Sequence, residues 1–243
     1  MKNLFLITAL LVMGLSKSFA HFMWIETNAT GKINTSQEVR VYFGEYGHDV
    51  REKVGSDTFN KMQAFTLWAI APNGEKTKLT VTPADLYYKA AFTPKTNGTY
   101  TFVLDNDKIE VIDFTKYNFG IFKTHYHATA KTEVGSGYTA SASANPNGLS
   151  ISDISKKQVG LNGEITLKIT YKNEPFAEKE IDLFIPNQWS RKVKTNKEGI
   201  ITFKAPYKTQ YLVEATHKEE TPGTYNNKEY QFIWHSATYA IPF

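Results

Sequence analysis

Ile165-Thr-Leu-Lys-Ile-Thr-Tyr171 places an apolar side chain at every second position, and Lys179-Glu-Ile-Asp-Leu-Phe-Ile185 resumes the pattern after the turn residues Asn173-Glu-Pro175. A side-chain period of two belongs to a strand with one buried face, and the β-branched content agrees. The same reading extends outward. Toward the C-terminus it finds Ile200-Ile-Thr-Phe203, Tyr211-Leu-Val-Glu-Ala215 and a last strand over Tyr239–Phe243. Toward the N-terminus it finds Val39–Phe43, Phe65–Ile70, Lys78–Thr82 and Thr99–Leu104, with Ala71-Pro-Asn-Gly74 and Pro94-Lys-Thr-Asn-Gly98 as turns. The one helix candidate is the short segment Ser56–Met62. Many short strands with turn chemistry between them, and no helical stretches, predict an all-β chain of antiparallel sandwiches.

The strands fall into two groups. Gly135-Ser-Gly-Tyr-Thr-Ala-Ser-Ala-Ser-Ala-Asn-Pro-Asn-Gly148 is small and polar, lacks hydrophobic periodicity, and reads as a linker. The expected organisation is an N-terminal β-sandwich over 21–134, a linker over 135–149, and a C-terminal sandwich of immunoglobulin-like or prealbumin-like type over 150–243. Each half also runs from a Phe through a Pro-containing turn to an aromatic-led strand, Phe92 to Tyr100 and Phe203 to Tyr211.

Residues 1–20 read as a cleaved signal peptide. Lys2 precedes the apolar run Leu4–Leu15, and Ser18-Phe19-Ala20 supplies the small residues that a signal peptidase requires before His21. The run is too short to span a bilayer, and the expected location is periplasmic or secreted, soluble after cleavage. Losing Lys2 and Lys17 lowers the formal charge from +4 to +2, too small an excess for a nucleic-acid partner. The absence of cysteine excludes disulfides, thiolate metal sites and a cysteine nucleophile.

Cleavage before His21 would leave an α-amine and an imidazole on one residue, able to close a chelate ring on one metal ion. His125-Tyr-His127 places two further imidazoles on one face of a strand. His21, His125 and His127 together make a nitrogen-rich set suited to Ni(II), Cu(II) or Zn(II) rather than Mg or Ca. Met23 is either a soft ligand or a core residue, the second being the commoner role. Glu45, His48 and Asp49 border a turn that fits a cation site or a solvated loop. His217 and His235 are expected to pair with each other or with a carboxylate. No G-x-S-x-G elbow, P-loop or dinucleotide glycine pattern is present, so no catalytic residue is assigned and the chain is read as a non-enzyme.

Ala20-His21-Phe-Met-Trp-Ile-Glu26, Val41–Tyr46, Phe119–His127, Gly199–Phe203, Glu219–Tyr225 and His235–Thr238 carry a family likeness. On these residues the mature chain resembles a periplasmic nickel-uptake accessory family, whose shared domain has no settled function. The resemblance implies a metal-binding protein that passes Ni(II), or Cu(II), to a separate membrane transporter. Two other readings stay open on the residues alone: a histidine-brace copper enzyme, and a metal-free adhesin-like or carbohydrate-binding module.

Overall fold

In the computed structural model, the described residues are 21–139, 145–156, 160–186 and 189–243. The expected signal peptide, 1–20, lies outside them, as does the middle of the expected linker. The longer strands are β1 (Phe22–Glu26), β2 (Gln37–Glu45), β3 (Thr66–Ile70), β4 (Tyr88–Phe92), β5 (Gly98–Asn106), β6 (Ile121–Val134), β7 (Leu149–Asp153), β8 (Glu164–Tyr171), β9 (Glu180–Ile185), β10 (Trp189–Lys194), β11 (Ile200–Lys204), β12 (Tyr211–Glu219) and β13 (Phe232–Ile241). The short helix α1 (Asp57–Asn60) begins where Ser56 Oγ accepts the Phe59 N–H at 3.2 Å. The chain is all-β and built of sandwiches, as the alternation predicts.

The centre of the molecule is one sheet in the order β10-β9-β12-β13-β6-β5-β3, extended by Lys76–Lys78. β13 lies between β12, to which it is antiparallel, and β6, to which it is parallel. The hydrogen-bonded register therefore joins strands from both sides of the 135–149 segment.

Two smaller sheets cover opposite faces of this central sheet. One contains β1, β2 and β4; the other contains β7, β8 and β11. Side-chain parity divides the cores accordingly. Leu212 and Ala240 join Phe22, Trp24, Phe43 and Tyr126 in the core under β1, with Phe184 packed against it. Val213, Tyr239, Leu183 and Ile181 join Ile151, Leu167 and Phe203 in the core under β8. Neighbours along β9, β12 and β13 thus serve different cores, the consequence of a period of two in a sheet covered on both sides.

Candidate metal centre

Among the described residues β1 is an edge strand that pairs with β2 alone, in a register that sets Phe22 opposite Gly44. This brings His21 beside Glu45 at the end of β2. Gly44 is needed for the approach: a Cβ there would sit 2.1 Å from the Val50 carbonyl oxygen, where Val50–Arg51 folds back on β2. The backbone then turns through Tyr46–His48 and returns Glu52 to the same spot.

The His21 imidazole rests against Phe43, ring centroids 5.5 Å apart, with both ring nitrogens facing carboxylates. Nδ1 lies 3.2 Å from Glu45 Oε1, and Nε2 lies 3.0 Å from Glu52 Oε1. The other Glu45 oxygen is 3.3 Å from His48 Nδ1, and the His48 side chain is exposed on the rim. Arg51 is occupied elsewhere, bonded to Asp49 and Glu26 and stacked over Tyr42 at 5.2 Å. Glu45 and Glu52 each keep one oxygen on His21, the other oxygens meeting His48 and Ser56 Oγ, the latter at 3.4 Å. Met23 is turned into the core, 1% exposed, and its sulfur accepts from Asn106 Nδ2 at 3.5 Å, so it is no ligand.

The structure does not bring His125 and His127 to His21. Successive β6 side chains point to opposite faces. Tyr126, between the two histidines, faces β1 and donates from its hydroxyl to the His21 carbonyl at 3.0 Å. His125 and His127 consequently lie on the far face of the central sheet. There they share one carboxylate: Asp105 Oδ1 is 3.0 Å from His125 Nε2 and 3.5 Å from His127 Nδ1. Burial opposes ionisation of Asp105, but these two bonds win and hold it well below the ordinary carboxylate range. Burial pushes His127 below the ordinary imidazole range, against the pull of Asp105.

The same far face carries a row of histidines. His125, His235 and His217 are direct cross-strand neighbours on β6, β13 and β12. His235 Nε2 bonds Glu219 Oε2 at 2.9 Å, and Glu219 also receives Tyr171 Oη and Lys172 Nζ, each at 2.7 Å. Burial lowers His235 to about 4, only partly offset by Glu219. Burial would raise Glu219, yet Lys172, Tyr171 and His235 together bring it to about 2. A neutral imidazole bonded to Glu219, packed against Tyr171 and beside a His125 that is itself bonded to Asp105, is a structural network, and the expected pairing of His235 with a carboxylate is what forms. Glu52, Asp105 and Glu219 are partners that the sequence reading did not assign. Carboxylates carry no spacing motif, so only strand register could have revealed them.

Among the described residues, no three His, Asp or Glu side chains stand ready to hold a metal ion. His21 and Glu45 offer a facing nitrogen and oxygen, and a third donor would have to come from the main chain.

Residues 18–219 match the model of a domain of unknown function, DUF4198. The chain belongs to the DUF4198 family. No curated protein matches the sequence. One similar solved structure is the CARDB domain of a Pyrococcus furiosus protein in complex with di-metal ions. It is 14% identical, covers 47% of this DUF4198 chain and 87% of its own, and has a TM-score of 0.25. The DUF4198 label names no activity, so the chemistry rests on the residues around His21.

Proposed function

We propose that this protein is an exported transition-metal-binding protein whose primary ligands sit at the N-terminus left by cleavage before His21. The observation that supports it most is the direction of the His21 ring. Nδ1, the ring nitrogen that can chelate together with the α-amine, faces Glu45 at 3.2 Å. Nε2, the nitrogen that would remain free, is held by Glu52 at 3.0 Å. Metal-bound imidazoles ordinarily donate their second ring nitrogen to a carboxylate, which fixes ring orientation and raises basicity. The amine, Nδ1 and a Glu45 oxygen would supply three donors, with His48 within reach of the other Glu45 oxygen.

Such a set suits Ni(II) and Cu(II). Nickel is favoured by the resemblance to uptake accessory proteins, and Cu(II) by the affinity order of nitrogen sites. In this reading the protein works in the periplasm and delivers its ion to a separate membrane transporter. His125 and His127 are not part of the site.

The test is titration of Ni(II) and of Cu(II) into protein with an authentic His21 N-terminus, beside protein bearing one extra N-terminal Gly. The expected result is one-to-one binding that the added Gly abolishes, because it keeps the imidazole and displaces the amine. Glu45→Gln should weaken binding at least tenfold, whereas His127→Gln should leave affinity unchanged. Equal binding to both N-termini, or none to either, overturns the proposal.

A further inference from the structure

The main chain of β1 is held from the central sheet by two side-chain hydroxyls. Tyr126 Oη donates to the His21 carbonyl at 3.0 Å, and Thr238 Oγ1 donates to the Met23 carbonyl at 2.8 Å. The two donors come from β6 and β13, the parallel pair at the middle of that sheet. The Met23 carbonyl would otherwise be a buried acceptor on an edge strand without a ladder partner, and the His21 carbonyl a half-buried one just ahead of that strand.

The two clamps differ in what they can control. Thr238 acts within β1, among Phe22, Met23 and Trp24, each 1% exposed or less. Tyr126 acts on the residue that would carry both chelating nitrogens. Its ring also packs edge-on against Phe43, centroids 6.1 Å apart, and Phe43 in turn packs against the His21 imidazole. One side chain thereby touches His21 twice, through its carbonyl and through the ring that supports its imidazole. An N-terminal residue has no preceding peptide to restrain it, so its amine and side chain depend on such contacts for a fixed mutual geometry.

We infer that Tyr126 is the positioning residue of the N-terminal metal site: its hydroxyl fixes the His21 main chain so that amine and Nδ1 face one ion together. The inference rests on the metal-binding reading above. It also gives the His-Tyr-His motif a different centre, the tyrosine serving the metal site and the flanking histidines serving the opposite face.

The test uses full-length protein exported and cleaved in cells, its His21 N-terminus verified by mass. Three proteins are compared: wild type, Tyr126→Phe and Thr238→Val. Tyr126→Phe keeps the ring against Phe43 and removes only the hydroxyl; Thr238→Val removes the equivalent clamp two residues further along. Cu(II) affinity is measured by competition with a chelator, the coordination geometry by electron paramagnetic resonance, and the fold by thermal melting. Tyr126→Phe is expected to weaken Cu(II) at least tenfold and to change the resonance spectrum. Thr238→Val should lower the melting temperature by a similar amount while keeping wild-type affinity and spectrum. Unchanged affinity and spectrum in Tyr126→Phe would overturn the inference, and so would equal losses in both variants, which would show only that β1 must be docked. Wild-type protein that binds no Cu(II) or Ni(II) would instead defeat the metal-binding reading itself, and the inference with it.

Discussion

Glu214 occupies a buried position on β12, on the same sheet face as Leu212 and therefore on the side of Tyr126 and β1. Ser236 Oγ donates to it at 2.9 Å, and Asp182 is its cross-strand neighbour. Burial raises its carboxyl to about 8, outweighing the Ser236 bond, with Asp182 adding to the rise. In the unfolded chain the same group titrates near 4.5, so between about 4.5 and 8 the folded state holds a proton that the unfolded state releases. Stability contributed by neutral Glu214 is complete below 4.5 and lost as pH rises through 8. Replacing it with a neutral isostere should remove that loss. Glu214→Gln is expected to melt within about 1 °C of wild type at pH 5 and about 5 °C higher at pH 9. A difference that does not grow with pH would mean the carboxyl is ionised in the folded protein. The proton also matters locally, because it keeps a negative charge away from the tyrosine beneath His21.

Among the elements, β6 shows where sequence reading stops. β8 announces itself by alternation over Ile165–Tyr171, because one face packs and the other is open to water. β6 is covered on both faces and fills them with Ala128, Thr129, Ala130, Lys131, Thr132 and Glu133, all buried. Small and polar residues serve both sides there, so no period survives to be read, and only the aromatic start of the strand stood out. The site divides in the same way. His21, Glu45 and His48 were legible as chemistry-bearing residues, whereas the separation of His21 from His125 and His127 depends on which sheet covers which face. The far-face network makes its own demand on the segment leading into β7. A Cβ on Gly148 would lie 2.7 Å from His235 Nδ1 and 3.1 Å from His125 Nδ1. Both rings are anchored through Nε2, to Glu219 and Asp105, and neither can swing away without breaking a bond. Gly148→Ala should therefore destabilise the protein by about 1–3 kcal/mol, as overpacking does elsewhere, with metal affinity unaltered. Denaturant unfolding measures the first and a Cu(II) titration the second; an unchanged midpoint would show that the histidine row has slack.

At the scale of the whole molecule, the two cores share one central sheet. Leu212 and Val213 are consecutive residues in different cores, as are Tyr239 and Ala240. β13 contributes to both and is hydrogen-bonded on both edges, to β12 and to β6. Melting the core under β8 releases β12 and β13, which removes one wall of the core under β1 and the Thr238 clamp on Met23. Neither sandwich then retains a closed interior, and exposing half of a central sheet costs more than unfolding the remainder saves. Unfolding should accordingly be a single cooperative transition, despite a size at which two independent domains would be ordinary. Differential scanning calorimetry should give one peak whose calorimetric and van't Hoff enthalpies agree. A chain ending at Gln231, deprived of β13, should lose the native signal of both halves together. Two separable transitions, or an N-terminal half that stays folded without β13, would show that the shared sheet is a contact between autonomous units. The same coupling would place the chain's last strand among the determinants of the geometry at His21.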